Sequence, residues 1–553
     1  MPNPNGPRTG RPPTYAPNGV VSSPHHLASS AGLRALREGG SAVDAAIATN
    51  AVLCVAYPHM AGLGGDGFWL IHEPGSGDVT ALNASGPAAR AATRDFYGEK
   101  GHEEEIPGRG PLAALTVPGA VDGWREAHER HGRLPWESLF TEAIEYARDG
   151  VPVGRSLTEW TAQDVPVLSE YPASASTFLP NGRPLRDGER LVQPDLAESF
   201  SRLARKGARE GFYEGETAEL LCRALSEGGS PLAPEDFREF RAEWVEPIST
   251  DYRGYTAYEF PPNTQGFAAL QILNVLEGYD VAAWGDGTAD YYHHMAEAVK
   301  LAFADRDEWL TDPSHVDIPL ERLISKEYAS ERRGLIDPER AMVMEKVEPG
   351  IRFGGESERR SPEGDTCYFC AVDRDGLVVS VIQSIYHDFG TGVVAEGTGI
   401  IPQNRGSFFA LDPAHPNCLE PGKRTFHTLI PAMLLKDGSP YLTYGTMGGE
   451  GQPQTHAALV TRLVDFGYDV QQAIEAPRWL MGRTWGVTSQ DLSLEGRIAD
   501  GVMRELELRG QPVKPLEDYN DNVGHAQAIR INRDSGFLEG GADPRGDGAA
   551  LGY

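Results

Sequence analysis

Apolar residues recur at helical spacing over positions 26–38 and again over 41–57. Gly39-Gly40 separates the two runs, and Ser41 with Asp44 stands where a capping box would open the second, so two tandem helices are predicted. Next comes Gly62-Leu63-Gly64-Gly65-Asp66-Gly67, followed by the strand-like Phe68-Trp69-Leu70-Ile71-His72. The letters fit G-x-G-x-x-G, yet this motif follows a helix and precedes a strand, the reverse of a dinucleotide-binding unit. What remains is a tight turn that another backbone or a ligand approaches closely. From residue 112 to about 340 helical patterns dominate, notably 120–130, 136–148, 265–276 and 289–309.

Beyond residue 365 the period changes. Short β runs separated by glycine turns are predicted at 366–385, 399–411, 428–435, 441–445 and 526–532, interrupted by helical stretches at 455–466 and 470–477. Strands and helices in blocks, without an internal repeat, indicate a layered α+β or α/β architecture. Residues 1–18, rich in Pro, Asn and Gly, are expected to be a disordered tail, and 343–365 to be an exposed, poorly ordered segment.

Composition narrows the function classes. A net charge of -30 and a pI near 4.9 argue against nucleic acid and against polyanionic ligands except at a local arginine site. The N-terminus lacks the apolar core of a signal peptide, and no stretch reaches the roughly 18 apolar residues of a membrane helix, so a cytoplasmic protein is expected. The five cysteines are odd in number and scattered, which speaks against a disulfide framework. Cys367 and Cys370 form a lone C-x-x-C whose side chains would face opposite sides of a strand, and His293-His294 with Glu297 lacks further ligand signals; both read as structural, and no metal or organic cofactor is implied.

The candidate chemistry centres on Thr366. It follows Gly364-Asp365 and opens Thr366-Cys-Tyr-Phe-Cys-Ala-Val372, which runs through the turn Asp373-Arg-Asp-Gly376 into a second strand, 377–385. Pairing 372 with 377 sets Thr366 opposite Gln383, give or take a bulge, with Ser384 and the loop 386–392 alongside. From pattern alone an ordinary strand threonine is the commoner reading. If the chain is cut before Thr366, however, the freed α-amine, with an unperturbed pKa of roughly 8, becomes a general base on the same residue as the hydroxyl.

The chain resembles the gamma-glutamyltransferase family of N-terminal-nucleophile hydrolases over almost its whole length. The likeness is carried by Ala31-Gly-Leu33, Gly39-Gly-Ser-Ala-Val-Asp-Ala-Ala-Ile47, Gly62-Leu-Gly-Gly65, Val117-Pro-Gly-Ala120, Gly132-Arg-Leu-Pro-Trp136, Met295 to Asp305 and Ser325-Lys-Glu-Tyr328. In the second half it is carried by Thr366, Phe389-Gly-Thr-Gly392, Pro421-Gly-Lys-Arg424, Met447-Gly-Gly449 and Asp543 to Ala550. The resemblance implies a four-layer αββα sandwich and self-cleavage between Asp365 and Thr366. A large subunit ending at 365, with an ordered body from 19, and a small subunit 366–553 would then stay associated. It also implies Thr366 as nucleophile, Ser384 as a hydroxyl that hydrogen-bonds it, and the amides of Gly448 and Gly449 as an oxyanion hole.

Substrate recognition departs from the family's pattern. Leu82-Asn-Ala-Ser-Gly-Pro87 has no arginine for a glutamyl α-carboxylate, and Asn83 stands at the equivalent place. The family's Asn-Asn-Gln-Met-Asp-Asp-Phe becomes Gln403-Asn-Arg-Gly-Ser-Phe-Phe409, so Phe408 replaces the acid that pairs with an amino group while Arg405 is gained; the paired serines become His427-Thr428. Arg405, His427 and His387 favour an anionic substrate without an ammonium group. Together with 479–485, the loop 386–392 resembles the oxamate amidohydrolase branch. The reading is an autoprocessed amidohydrolase that forms an acyl-enzyme on Thr366, acting on a small carboxylate-bearing amide such as oxamate. Alternatives are a γ-glutamyltransferase or glutathione hydrolase, and an uncleaved, catalytically silent binding protein.

Overall fold

The computed structural model describes residues 7–353, 365–482 and 489–553. Two seven-stranded antiparallel sheets form its centre. The first runs, in order across the sheet, Thr14–Ala16, Leu538–Ala542, Ala526–Ile531, Ser439–Thr446, Ala432–Lys436, Tyr255–Glu259, Ile248–Tyr252. The second runs Ala549–Gly552, Val20–Ser23, Asp365–Val372, Val378–Tyr386, Asp66–His72, Val79–Ala84, Glu243–Val245.

Side-chain alternation explains the layering. Along the Asp365–Val372 strand, Cys367, Phe369 and Ala371 join a core shared with helices His26–Arg37 and Ala42–Ala56, whereas Tyr368, Cys370 and Val372 join a core shared with Met433, Leu435 and Ile529 of the first sheet. The outer face of the first sheet packs through Ala257, Leu434 and Leu442 against helices Gly266–Leu276, Ala289–Trp309 and Gln452–Val464. Helix, sheet, sheet, helix is thus the order of layers, the expected α+β sandwich. The sheets approach so closely that a Cβ on Gly445 would lie 2.4 Å from the Tyr368 ring, whose hydroxyl reaches Ser380 Oγ at 2.9 Å.

Local signals behave as their chemistry dictates. Ser41 Oγ accepts from the Asp44 amide and Asp44 Oδ2 from the Ser41 amide, closing the capping box ahead of a helix whose every residue is buried. The predicted helix at 289–309 is found as Ala289–Trp309; within it the His293 and His294 rings donate to the carbonyls of Asp337 and Asp290. The glycine turn is a close approach between backbones: a Cβ on Gly64 would meet Ile401 O at 2.2 Å, and one on Gly65 would meet Ser384 O at 2.4 Å.

Several expectations need correction. Residues 14–16, placed in a disordered tail, pair with Leu538–Gly540 as an edge strand, and the amide of Gly10 is held by Glu475. The 399–411 run is no strand: Arg405–Phe408 is a 3-10 turn. The 136–148 run divides into a 3-10 turn, Trp136–Phe140, and a helix, Thr141–Asp149. The hairpin register also slips by one, Val372 pairing with Val378, because Asp373 Oδ1 gathers the amides of Asp375 and Leu377 and widens the turn. The expected disordered stretch before Asp365 falls, over 354–364, outside the described residues, as do positions 483–485 of the 479–485 motif. Among the described residues no helix is long and apolar enough to cross a membrane.

Candidate active site

The slipped register decides which groups meet. Asp365 pairs with Tyr386 and Cys367 with Gln383, leaving Thr366 in a β-bulge opposite Ser384 and Ile385. Gln383 does not face the threonine. Its amide points into the helical layer, accepting from Asn50 at 2.8 Å and donating to Gly62 O at 2.5 Å. Ser384 lies on the inter-sheet side and pairs in turn with Asp66 on the next strand. A row Thr366, Ser384, Asp66 therefore crosses the second sheet on one face, each member buried.

Arg405 closes over this row. Only 1% exposed, it donates through Nη2 to Ser384 Oγ at 3.1 Å and through Nη1 to Thr428 Oγ1 at 3.2 Å, and its guanidinium carbon sits 4.3 Å from the centre of the Tyr386 ring. Phe408 packs at a tilt against Tyr386 and Phe426 against Phe408, at ring separations of 4.4 and 4.1 Å. Burial pulls the guanidinium down to about 10, partly offset by Tyr386 and Asp66, so it remains a cation at neutral pH.

The histidines contribute no charge. Burial, reinforced by Arg405 and Arg424, drives His427 well below its ordinary value. Burial and then Arg109 bring His387 to about 3. Both rings are neutral at pH 7, which corrects the sequence-based view that they help attract an anion; Arg405 alone among the three carries that charge. His387 Nδ1 accepts from Asn404 Nδ2 at 2.7 Å, and His427 Nε2 lies 3.4 Å from Asp66 Oδ2. Asn83 is 5% exposed and engaged within the protein, donating to Asn263 Oδ1 at 2.9 Å and accepting from Ser85. It braces Asn263, whose carbonyl holds the His427 amide at 2.7 Å.

Gly448 and Gly449 follow the first-sheet strand Ser439–Thr446 and begin a 3-10 turn, where amides have no intrahelical acceptor. Their φ values, 118° and 51°, lie in the left-handed region, and a Cβ on Gly448 would approach Gly524 Cα at 3.1 Å. Gln265 ties this turn to the rest: its Nε2 donates to Gly449 O at 3.0 Å and to Thr428 O at 2.8 Å. A continuous chain of hydrogen bonds thus runs from Gly449 through Gln265, Thr428 and Arg405 to Ser384 beside Thr366. The loop 386–392 is held in a strained form, with Tyr386 at φ 83° and Phe389 at 54°. Arg109 clamps it by donating to the carbonyls of Asp388 and Gly390 and pairing with Asp388 at 3.1 Å and Asp164 at 3.4 Å.

Asp66 is the residue that sequence reasoning passed over. It stood inside the glycine motif, read only as a turn. Oδ1 accepts from the amides of Gly86 at 3.2 Å and Gly119 at 3.0 Å. Burial lifts its carboxyl to about 7 against the pull of the nearby Gln403 amide, these backbone donors and Arg405. The available signal was an acidic residue directly ahead of the apolar run Gly67-Phe-Trp-Leu-Ile71.

This four-layer sandwich, with a hydroxyl-bearing strand in one sheet and a left-handed glycine pair at the end of a strand in the other, has the fold of the N-terminal-nucleophile hydrolases. A family model described as Gamma-glutamyltranspeptidase matches residues 28–553. The chain is 46% identical over 533 residues to the glutathione hydrolase-like YwrD proenzyme of Bacillus subtilis, covering 96% of this chain and 98% of that protein. It is 43% identical over 541 residues to the oxamate amidohydrolase proenzyme of Klebsiella pneumoniae, covering 97% and 98%. The solved structure of cephalosporin acylase from Bacillus halodurans superposes with a TM-score of 0.90 at 39% identity, covering 100% of this chain and 98% of that one. The chain belongs to the gamma-glutamyltranspeptidase family.

Proposed function

We propose that the protein is a self-maturing amidohydrolase whose N-terminal threonine, Thr366, cleaves a small carboxylate-bearing amide such as oxamate. The observation that carries this reading is the buried Arg405 guanidinium, stacked on Tyr386 and fixed by Ser384 and Thr428, on the same side of the sheet as Thr366. A cation so placed holds a carboxylate within reach of the nucleophile.

In maturation, Thr366 Oγ attacks the Asp365 carbonyl carbon, the C–N bond breaks and an ester forms. Water then hydrolyses the ester, leaving the Asp365 carboxylate and a free Thr366 amine. Subunits 1–365 and 366–553 remain joined by the ladders that pair Val20–Ser23 with the strand opened by Thr366 and Asp66–His72 with Val378–Tyr386. In turnover the amine takes the proton from Thr366 Oγ as the oxygen adds to the amide carbon. The amides of Gly448 and Gly449 receive the oxyanion, a contribution of about 10²–10³ in rate per donor. Ammonia leaves with a proton from the amine, and water cleaves the acyl ester; for oxamate the products are oxalate and ammonium. No step calls for a metal or organic cofactor.

A γ-glutamyl substrate is the second reading. Asp66 restores to the site an acid that the change to Phe408 removed, and one relative is named glutathione hydrolase-like. Intact mass of the purified protein beside Thr366→Ala, followed by assays with oxamate and a γ-glutamyl anilide, tests both. Two fragments divided at Asp365/Thr366 in the parent, one uncut chain in the variant and release of ammonia from oxamate are expected. An uncut parent would sink the N-terminal nucleophile, and turnover of the anilide alone would move the substrate to the γ-glutamyl class.

A further inference from the structure

Arg405 and Asp66 are opposite charges buried in one site, yet they form no ion pair. Arg405 spends both Nη atoms on neutral hydroxyls, and its Nε has no hydrogen-bond partner. The carboxyl of Asp66 meets two backbone amides through Oδ1 and the neutral His427 ring across 3.4 Å through Oδ2. Asp66 is the direct ladder partner of Ser384, which accepts from Arg405, so carboxyl and guanidinium face each other across Ser384. The other charged or titratable groups around this pair are Tyr386, whose ring lies 4.3 Å from the guanidinium carbon, the neutral His387 ring, Arg424 beyond His427, and Tyr213, whose hydroxyl is committed to Pro118 O.

We propose that Asp66 is a positioning residue of the anion subsite: its carboxylate balances Arg405 in the empty enzyme and takes up one proton when a substrate carboxylate settles on the guanidinium. This deepens the amidohydrolase reading and rests on it. An arriving anion would otherwise place two negative charges beside one cation in a buried, poorly screened site, where like charges repel strongly. A proton from solvent bound to Oδ2 removes the conflict, and the protonated Oδ2 can donate a hydrogen bond to His427 Nε2 in the Nδ1–H tautomer. Because Asp66 already sits near neutrality in the empty site, the uptake falls in the working pH range. Below about pH 7 the carboxyl is already neutral and anion affinity is flat; above it, affinity falls by up to about tenfold per pH unit.

The test uses the processed enzyme and calorimetric titration with oxalate, fully ionised throughout, in buffers of different ionisation heat at pH 6 and pH 8. The parent is expected to take up close to one proton at pH 8 and little at pH 6, with weaker binding at pH 8. Asp66→Asn, which keeps an Oδ1 for the two glycine amides, is expected to bind with no uptake and nearly equal affinity at both values. Tight binding by the parent without proton uptake, or uptake that survives in Asp66→Asn, overturns the proposal while leaving Arg405 as the carboxylate anchor. If processed enzyme that turns over another amide binds neither oxalate nor oxamate, the carboxylate reading itself fails and this proposal falls with it. The parent titration decides even if the variant does not fold.

Discussion

Two buried charge clusters sit on either side of the Gly448 turn, and they are built on opposite principles. Around Arg478, Glu495, Asp543 and Arg545 every carboxylate oxygen finds cations or amides. Asp543 meets Arg478, Arg545 Nη1 at 3.0 Å and the Ala526 amide at 2.7 Å, while Glu495 takes Arg545 Nε and Nη2 at 2.8 and 2.7 Å and Arg497 at 2.6 Å. Against the opposing effect of burial, the arginines hold both carboxyls below their ordinary values. Around Arg405 and Asp66 the charges are kept apart, and burial wins, lifting the carboxyl to about 7. A saturated cluster is scaffold: Arg478 donates to Val523 O and Gly524 O, fixing the segment against which Gly448 packs. An unsaturated one is prepared for a ligand that completes it.

Removing one arginine from each cluster breaks the comparison most severely. Arg545→Ala leaves two buried acids underpaired and is expected to destabilise the fold by about 3–5 kcal/mol, read from urea denaturation. Arg405→Ala is expected to leave the denaturation midpoint nearly unchanged while lowering kcat/KM for a carboxylate-bearing amide by about 10²-fold, the loss of a charge-assisted contact. Equal destabilisation by both substitutions would show that the two clusters are alike and that Arg405 is structural.

A finer distinction comes from pH, where the two carboxyls carry opposite signs. Glu495 has a folded value below its unfolded one, so its stabilisation is present above the unfolded carboxylate range near 4 and is lost as pH falls through the folded value. Glu495→Gln should therefore cost stability at pH 7 and progressively less below pH 4. Asp66 has a folded value above its unfolded one, so the ionised form costs stability as pH rises from about 4 through about 7. Asp66→Asn should accordingly be neutral at pH 3, increasingly stabilising from about pH 4 to 7, and fully so at pH 8. Denaturant midpoints across pH 3–8 check both, and a destabilised Asp66→Asn at pH 8 would place that residue with the scaffold.

Much of the scaffold was legible because it depends on neighbours in sequence. The capping box at Ser41 and Asp44, the Ala289–Trp309 helix and the alternation along the Asp365–Val372 strand are local, and each took its expected form. The site was legible only in part. Thr366, Ser384, Arg405 and Thr428 come together, but Gln383 turned away once Asp373 widened the hairpin by one residue. His387 and His427 kept their places and lost their charge, since burial and neighbouring arginines are properties of packing. Asp66 was hidden because its partners Gly86, Gly119 and His427 lie up to hundreds of residues away.

By itself the sequence determined the periodicities, the capping chemistry and the order of elements, and through its motifs the family, because these rest on contacts within a few residues or on letters in order. Tertiary structure alone decided the one-residue register that sets Thr366 beside Ser384, the neutral state of the histidines, and the placing of Asp66 opposite Arg405. Those depend on how far two strands slide and how completely water is excluded, and neither is written in any short stretch of the chain.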